Sequence, residues 1–442
     1  MARTRQHPSL SRRHLVQLAG GAVGASLVAQ ASSSRLTVRA AQEPTIPNVT
    51  VRLATVAFTN EAWPIIGIRS GFFQDVGIDI QPPDSKVILL QQTVPQLQNN
   101  EIDITTMYLG LLIPTLHNIT NIKPFQVYSY WQGNAILTPA DSPYKTVDDF
   151  VEEGMEFEDA ARATMEQLRG KQVSVPPQIT TRPWMELVYG YADMELEDSE
   201  LLIIEDQKAV QLGLSGRLDF AAPAGAVQIY QLQFQADWRP VISTAQILKS
   251  TPGGTGTNIN SVLGYDVFAA TQEYLDANRD TVLRFCSAVY RTLDYMFGPE
   301  QDEALALEVP FINANAGSDL DVPAIKYIFE EVDPFFEWEK QADIWEDTSN
   351  PLHFNNIYTY QVNQFVESGA LPDQDYNLDE FFQAKSLWQE MRDLQLKADE
   401  LMQQAETEQL SNDRAAIVET AKDWYSKFNF LDAVRSLEAG LA

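Results

Sequence analysis

Eight side chains stand where a small molecule could be held: Glu61, Trp63, Tyr108, Trp131, Thr180, Thr181, Arg182 and Trp184. Arg182 and the Thr180–Thr181 pair sit at a helix start, where a guanidinium and free backbone N–H groups suit an anion. The aromatic rings offer flat walls that lose little entropy on binding. Glu61 pulls the other way and would favour a cationic or hydroxylated ligand. Each of these residues also has a structural reading. Trp63 and Trp184 fit a core, Arg182 fits an ion pair within the protein, and Glu61 fits a solvated loop. The charge of a ligand stays open at this level.

Machinery for covalent or metal chemistry is sparse. The four histidines, His7, His14, His117 and His353, lie far apart in sequence. The single cysteine, Cys286, excludes an internal disulfide and a cysteine-clustered metal site, and its apolar helical surroundings suit a core position. Neither a G-x-S-x-G elbow nor a Walker A sequence is present. The loop Thr251-Pro-Gly-Gly-Thr-Gly-Thr257 has no Lys-Ser or Lys-Thr after it and reads as a surface or hinge-adjacent loop. No catalytic residue, metal or cofactor is therefore expected, although an oxygen-ligated ion among the many carboxylates stays open.

The candidates all follow short strand-like runs. Val51–Phe58 precedes Glu61 and Trp63; Ile102–Ile104 precedes Thr105, Thr106 and Tyr108. Phe125–Tyr130 precedes Trp131 and Asn134, Gln172–Val175 precedes Thr180–Trp184, and Leu218–Ala221 precedes Pro223 and Ala224. Helical segments alternate with these runs, so the chain reads as α/β with mostly parallel sheets. Loops at the carboxyl ends of parallel strands converge on one crevice. The organising stretch is Gly67–Ile80, GIRSGFFQDVGIDI, with glycines at Gly71 and Gly77 where the chain must turn. Two further acidic helical segments are expected between Thr146 and Leu168. From about Asn377 long charged helices follow, Leu378–Gln409 and Asp413–Leu441, which pack on the main body or on a partner.

The chain has 442 residues, 61 acidic against 31 basic, for a formal charge of −30. That balance argues against nucleic acid and anionic membrane surfaces as partners. At the N-terminus, Arg12-Arg13 precede a weakly apolar run, Leu15–Ala29, broken by Gly20, Gly21 and Gly24. The pattern resembles a twin-arginine export signal within residues 1–40, with a possible cleavage site at Ala29-Gln30-Ala31. No other stretch approaches the ~20 apolar residues that span a bilayer.

Taken in order, these pieces resemble the extracytoplasmic solute-binding proteins of ABC transporters, of the nitrate/sulfonate/taurine and thiamine-precursor type. The resemblance rests on Gly67–Ile80, Asp103, Asp148-Asp149-Phe150 before Leu168-Arg169-Gly170-Lys171, Gly213–Asp219, the Asn278–Tyr295 helix and Phe365–Leu371. It runs from about Pro47 to Phe382, and the shared order is its specific part. It implies a type II periplasmic-binding fold of two α/β lobes joined by a hinge. Residues 47–137 with 255–382 would form the first lobe, 138–254 the second, and 383–442 a helical extension. It also implies a monomer with no enzymatic activity, soluble outside the cytoplasm after export by the twin-arginine translocase. Such a protein holds a small solute between its lobes and presents it to a membrane permease. The solute would be a nitrate-, sulfonate- or taurine-like anion or a small organic nitrogen compound. Residues 152–167 and the tail depart from the family pattern, as does Ile179–Trp184, which lacks a small Gly-Ser pair. An exported enzyme using a cleft carboxylate, and a sensor or scaffold docking through the tail, are the competing readings.

Overall fold

The computed structural model describes residues 45–177, 181–250 and 263–442. The expected export signal with Arg12 and Arg13, Thr180, and the loop Thr251–Thr257 lie outside the described residues. Ten strands form two five-stranded sheets: β1 Val49–Val56, β2 Ile78–Ile88, β3 Ile104–Tyr108, β4 Ile122–Trp131, β5 Ala135–Pro139, β6 Gln172–Val175, β7 Glu200–Ile203, β8 Phe220–Ala221, β9 Trp238–Ser243 and β10 Gly264–Thr271. The strand orders are β2-β1-β3-β10-β4 and β7-β6-β8-β5-β9. The two orders repeat one pattern, with one strand in each sheet borrowed from elsewhere in the chain.

The borrowed strands correct the expectation of mostly parallel sheets. β1 pairs parallel with β2 and β3, and β6 pairs parallel with β7 and β8. β10 runs antiparallel to β3 and β4, and β5 antiparallel to β8 and β9. The reason is geometric. The chain leaves the first sheet at Trp131, the carboxyl end of β4, and enters the second at Ala135. A strand that enters from the side where its neighbours end has to run against them. The return from β9 to β10 repeats the rule.

The stretch Gly67–Ile80 behaves as its glycines require. Gly71 and Gly77 have φ of 78° and 77°, the left-handed region in which a side chain is strained. At Gly77 an added Cβ would also meet the Pro47 carbonyl at 2.6 Å. The intervening apolar residues form helices Pro64–Arg69 and Phe72–Asp75, with Ile65, Ile66 and Phe73 buried. The long helix Arg279–Phe297 lies against them and buries Val282, Phe285, Cys286, Val289 and Leu293, the stripe expected from its 3.6-residue spacing.

The tail is helical but breaks where no break is expected. Helices Gln383–Thr407, Asn412–Ser426 and Phe430–Leu441 are observed. Phe428 takes φ of 60°, and the Asn429 side chain accepts from the Asp432 N–H to cap the third helix. The third helix packs on Arg279–Phe297 through a buried ion pair: Arg284 Nε and Nη2 donate to Asp432 Oδ2 and Oδ1, both at 2.7 Å. Phe430 stands 5.4 Å from the Trp338 ring, which in turn packs 5.1 Å from Tyr290. The third helix thus ties the tail to the body, while Ala398, Val418, Ala421, Ala433 and Leu437 pack the tail helices against one another. Among the described residues no helix is long and apolar enough to cross a membrane.

Candidate functional site

A cavity of about 370 Å³ opens between the two sheets, and both contribute to its walls. The first sheet supplies Phe58–Glu61 after β1, Leu90 after β2, Tyr108 and Trp131 at the ends of β3 and β4, and Asp266 from β10. The second supplies Asn134 before β5, Thr181 after β6, Glu205–Gln207 after β7 and Ala224–Gln228 after β8. The loops at the carboxyl ends of parallel strands converge as such sheets demand. A size of about 370 Å³ suits a small organic molecule, since ligand pockets run from about 300 to 1,000 Å³.

Four of the eight candidates, Glu61, Tyr108, Trp131 and Thr181, line this cavity. The rings are seated by glycines. An added Cβ at Gly264 would come within 2.4 Å of the Tyr108 ring, and one at Gly133 within 2.6 Å of Trp131. Trp63 and Trp184 are elsewhere, 0% and 2% exposed. Trp63 sits edge-on to Tyr128, Phe268 and Phe335 at 5.3–5.8 Å, in the core beneath the site. Truncating it to alanine is expected to cost about 3–5 kcal/mol, readable in urea unfolding at neutral pH. Arg182 faces outward and pairs with Glu186 one helical turn on, at 2.7 Å, with both side chains more than half exposed. It is not among the residues lining the cavity, so the guanidinium expected to meet an anion is engaged elsewhere.

Glu61 is neither solvated nor open. It is 1% exposed, and Tyr128 OH donates to its Oε2 at 3.1 Å. Burial, reinforced by Asp266, holds its carboxyl well above the usual range. Asp333, completely buried, is pushed up in the same way by burial and then by Asp266. Asp266 accepts from Asn60 Nδ2 and Ser129 Oγ on its Oδ2, both at 3.0 Å. Burial raises it to about 6 against the pull of those donors. Across the cavity, Asp206 Oδ2 accepts the backbone N–H groups of Ala224 and Gly225, both at 3.0 Å. Burial lifts it too to about 6, against those two N–H groups.

Sequence reasoning overlooked Asp206, Glu205 and Asp266. Asp266 had a usable signal: it is the one charged residue in the otherwise apolar and aromatic run Leu263–Ala270, where a carboxylate must be paired or put to use. Asp206 opens the helix Asp206–Leu214 and gave no more than a cap signature. Among the described residues no group of three or more His, Cys, Asp or Glu is arranged to hold a metal ion.

This architecture is the type II periplasmic-binding fold, two α/β lobes joined by a hinge, with an added C-terminal helical region. The periplasmic sulfonate-binding protein SsuA of Methylobacillus flagellatus KT superposes with a TM-score of 0.52 at 10% identity, over 78% of this chain and 95% of the other. The periplasmic aliphatic sulphonate-binding protein SsuA of Escherichia coli gives 0.49 at 13% identity, over 75% and 91%. The periplasmic nitrate-binding protein NrtA of Synechocystis PCC 6803 gives 0.49 at 15%, over 78% and 88%. At such identities the likeness is one of fold. No family model and no curated protein matches the sequence.

Proposed function

We propose that the protein is an extracytoplasmic solute-binding protein, which captures a small solute between its lobes and delivers it to the permease of an ABC importer. The observation that carries this reading is the cavity between the sheets, walled by strand-end loops of both. A ligand touching both walls ties them together, so its affinity favours a closed form that a permease can recognise. The lobes would be built on the two sheets, β1–β4 with β10 and β5–β9, so that the first crossing falls at Trp131–Ala135 and not at 137/138, where β5 would be cut. Export through the twin-arginine route, a monomeric state and binding without turnover belong to the same reading.

Thermal unfolding against a panel of small anions, amines and pyrimidines tests it. A true ligand at a hundred times its Kd should add about 2.7 kcal/mol of stability. A product formed from the ligand, and lost in Glu61→Gln, would replace capture by catalysis. A panel in which no compound shifts the transition would remove the reading altogether.

A further inference from the structure

We infer that the cavity takes a small organic cation bearing N–H donors, a protonated amine or amidine, held between Asp266 on one wall and Asp206 on the other. The inference rests on the solute-capture reading and gives it a substrate class. The described lining residues include four carboxylates, Glu61, Glu205, Asp206 and Asp266, and no lysine, arginine or histidine. An oxoanion would find no cation there and would lie against like charge, which is costly where water is excluded.

The acceptor inventory points the same way. Asp266 has Oδ2 occupied by Asn60 and Ser129, and its carboxyl is also hydrogen-bonded to that of the buried Asp333. On Asp206, Oδ2 takes two backbone N–H groups, and Oδ1 is buried with no partner. Asp206 thus keeps one carboxylate oxygen with no partner, and a buried acceptor left unmet is unfavourable. A ligand with N–H groups can meet it, and an anion cannot. The state of charge fits. Burial and Asp266 raise Glu61 and Asp333 well above the usual carboxylate range, whereas burial raises Asp266 and Asp206 only to about 6. Tyr108 and Trp131 add aromatic faces, which attract a cation within about 6 Å of the ring. A bare metal ion is the weaker fit, because no three carboxylates among the described residues are grouped to ligate one.

Isothermal titration of the protein at pH 7.5 with putrescine, agmatine and methylammonium, beside methanesulfonate and nitrate, decides the matter. Binding of an amine or amidine is expected, with roughly 10–100-fold weaker affinity in Asp206→Asn and in Asp266→Asn, the range for a hydrogen bond to a charged group. Asp206 is only partly buried, so its variant keeps the test sound should the Asp266 variant fold poorly. Affinity should also fall as the pH drops below about 6. Binding of nitrate or methanesulfonate without the amines would overturn the cation inference and leave solute capture standing. Amine binding that survives both substitutions unchanged would also overturn it. Silence from all five probes would overturn it as well, and silence from the wider panel above would take solute capture with it.

Discussion

Asp432→Ala is expected to lower the unfolding free energy by about 3–5 kcal/mol, because it strands a buried guanidinium. Arg284 and Asp432 are 4% and 3% exposed, and both bonds of the fork are 2.7 Å long. Asp432 Oδ2 also accepts from Asn429 Nδ2 at 2.8 Å, so the carboxylate ties the helix break to the body as well. Removing it leaves the Arg284 charge without a partner in a site closed to water. Removing both charges is a different matter. Arg284→Met with Asp432→Leu should recover most of the loss, since well-packed apolar pairs often equal buried ion pairs. Chemical denaturation of the wild type, the two single variants and the double variant completes the cycle. A loss under about 1 kcal/mol in Asp432→Ala would show that water or another group takes over the guanidinium.

The second large effect concerns pH and runs against the usual direction. A carboxyl whose folded pKa is raised keeps its proton in the native state after the unfolded chain has lost it. Its contribution is fully present below the unfolded value, near 4, and is lost as the pH rises through the folded value. Asp206 and Asp266 define a window from about pH 4 to about 6. Each shift of about two units is worth on the order of 3 kcal/mol, at 1.36 kcal/mol per unit. Glu61, Asp333 and Glu308 extend the decline to higher pH, all raised first of all by burial. The groups facing this cluster are Tyr128, whose hydroxyl donates to Glu61, and Asn60, Ser129 and Tyr108 around Asp266. None of them is a cation that would offset the carboxylates. Melting temperature should therefore fall from pH 5 to pH 8. Glu61→Gln, which keeps the shape and abolishes the titration, should flatten the upper part of the decline. An unchanged profile in that variant would place the pH sensitivity elsewhere, for instance in the repulsion of the −30 surface charge.

Much of the fold was open to inspection in the chain itself. All ten strands fall on runs readable from apolar pattern and turn residues, from Val51–Phe58 for β1 to Val262–Ala269 for β10, with ends displaced by a residue or two in most cases. β2 and β3 are exceptions: β2 continues through Pro82 and Pro83 to Ile88, and β3 runs over Ile104–Tyr108, so that Thr105 and Thr106 lie inside the strand instead of after it. Helix Gln301–Ala316 was missed because Pro310 lies within it, although it brings Asn315 and Ala316 to the cavity. Strand direction was misjudged because local pattern carries no information on the side from which a strand enters a sheet.

The site was legible in place but not in chemistry. The loops after β1 and β6 do supply cavity-lining residues, whereas Tyr108 and Trp131 are the last residues of β3 and β4 themselves. Which side chains turn inward depends on helix phase and on packing across lobes. Arg182 and Trp184 lie two residues apart at the start of one helix, yet one faces solvent and the other the core. The Asp206 and Asp266 oxygens become a pair only in three dimensions, from residues 60 positions apart. Residue type and spacing left the ligand's charge open between Arg182 and Glu61, whereas burial and hydrogen-bond accounting describe an acidic site.

The fork between Arg284 and Asp432 also has a bearing on how the chain reaches its native state. Its partners are separated by 148 residues, and they join the helix that backs the first sheet to the closing helix of the tail. During synthesis at about 5–20 residues per second, that helix would be on hand many seconds before its counter-charge. Until Phe430–Leu441 arrives, the surface meant to receive it carries the Arg284 guanidinium without its Asp432 fork and the Trp338 ring without Phe430. Completion of the first lobe is therefore a late event, governed by long-range loop closure and not by local helix formation. Nascent chains halted before residue 430 should be sensitive to protease in the 279–297 helix, and chains extended past residue 437 should resist it.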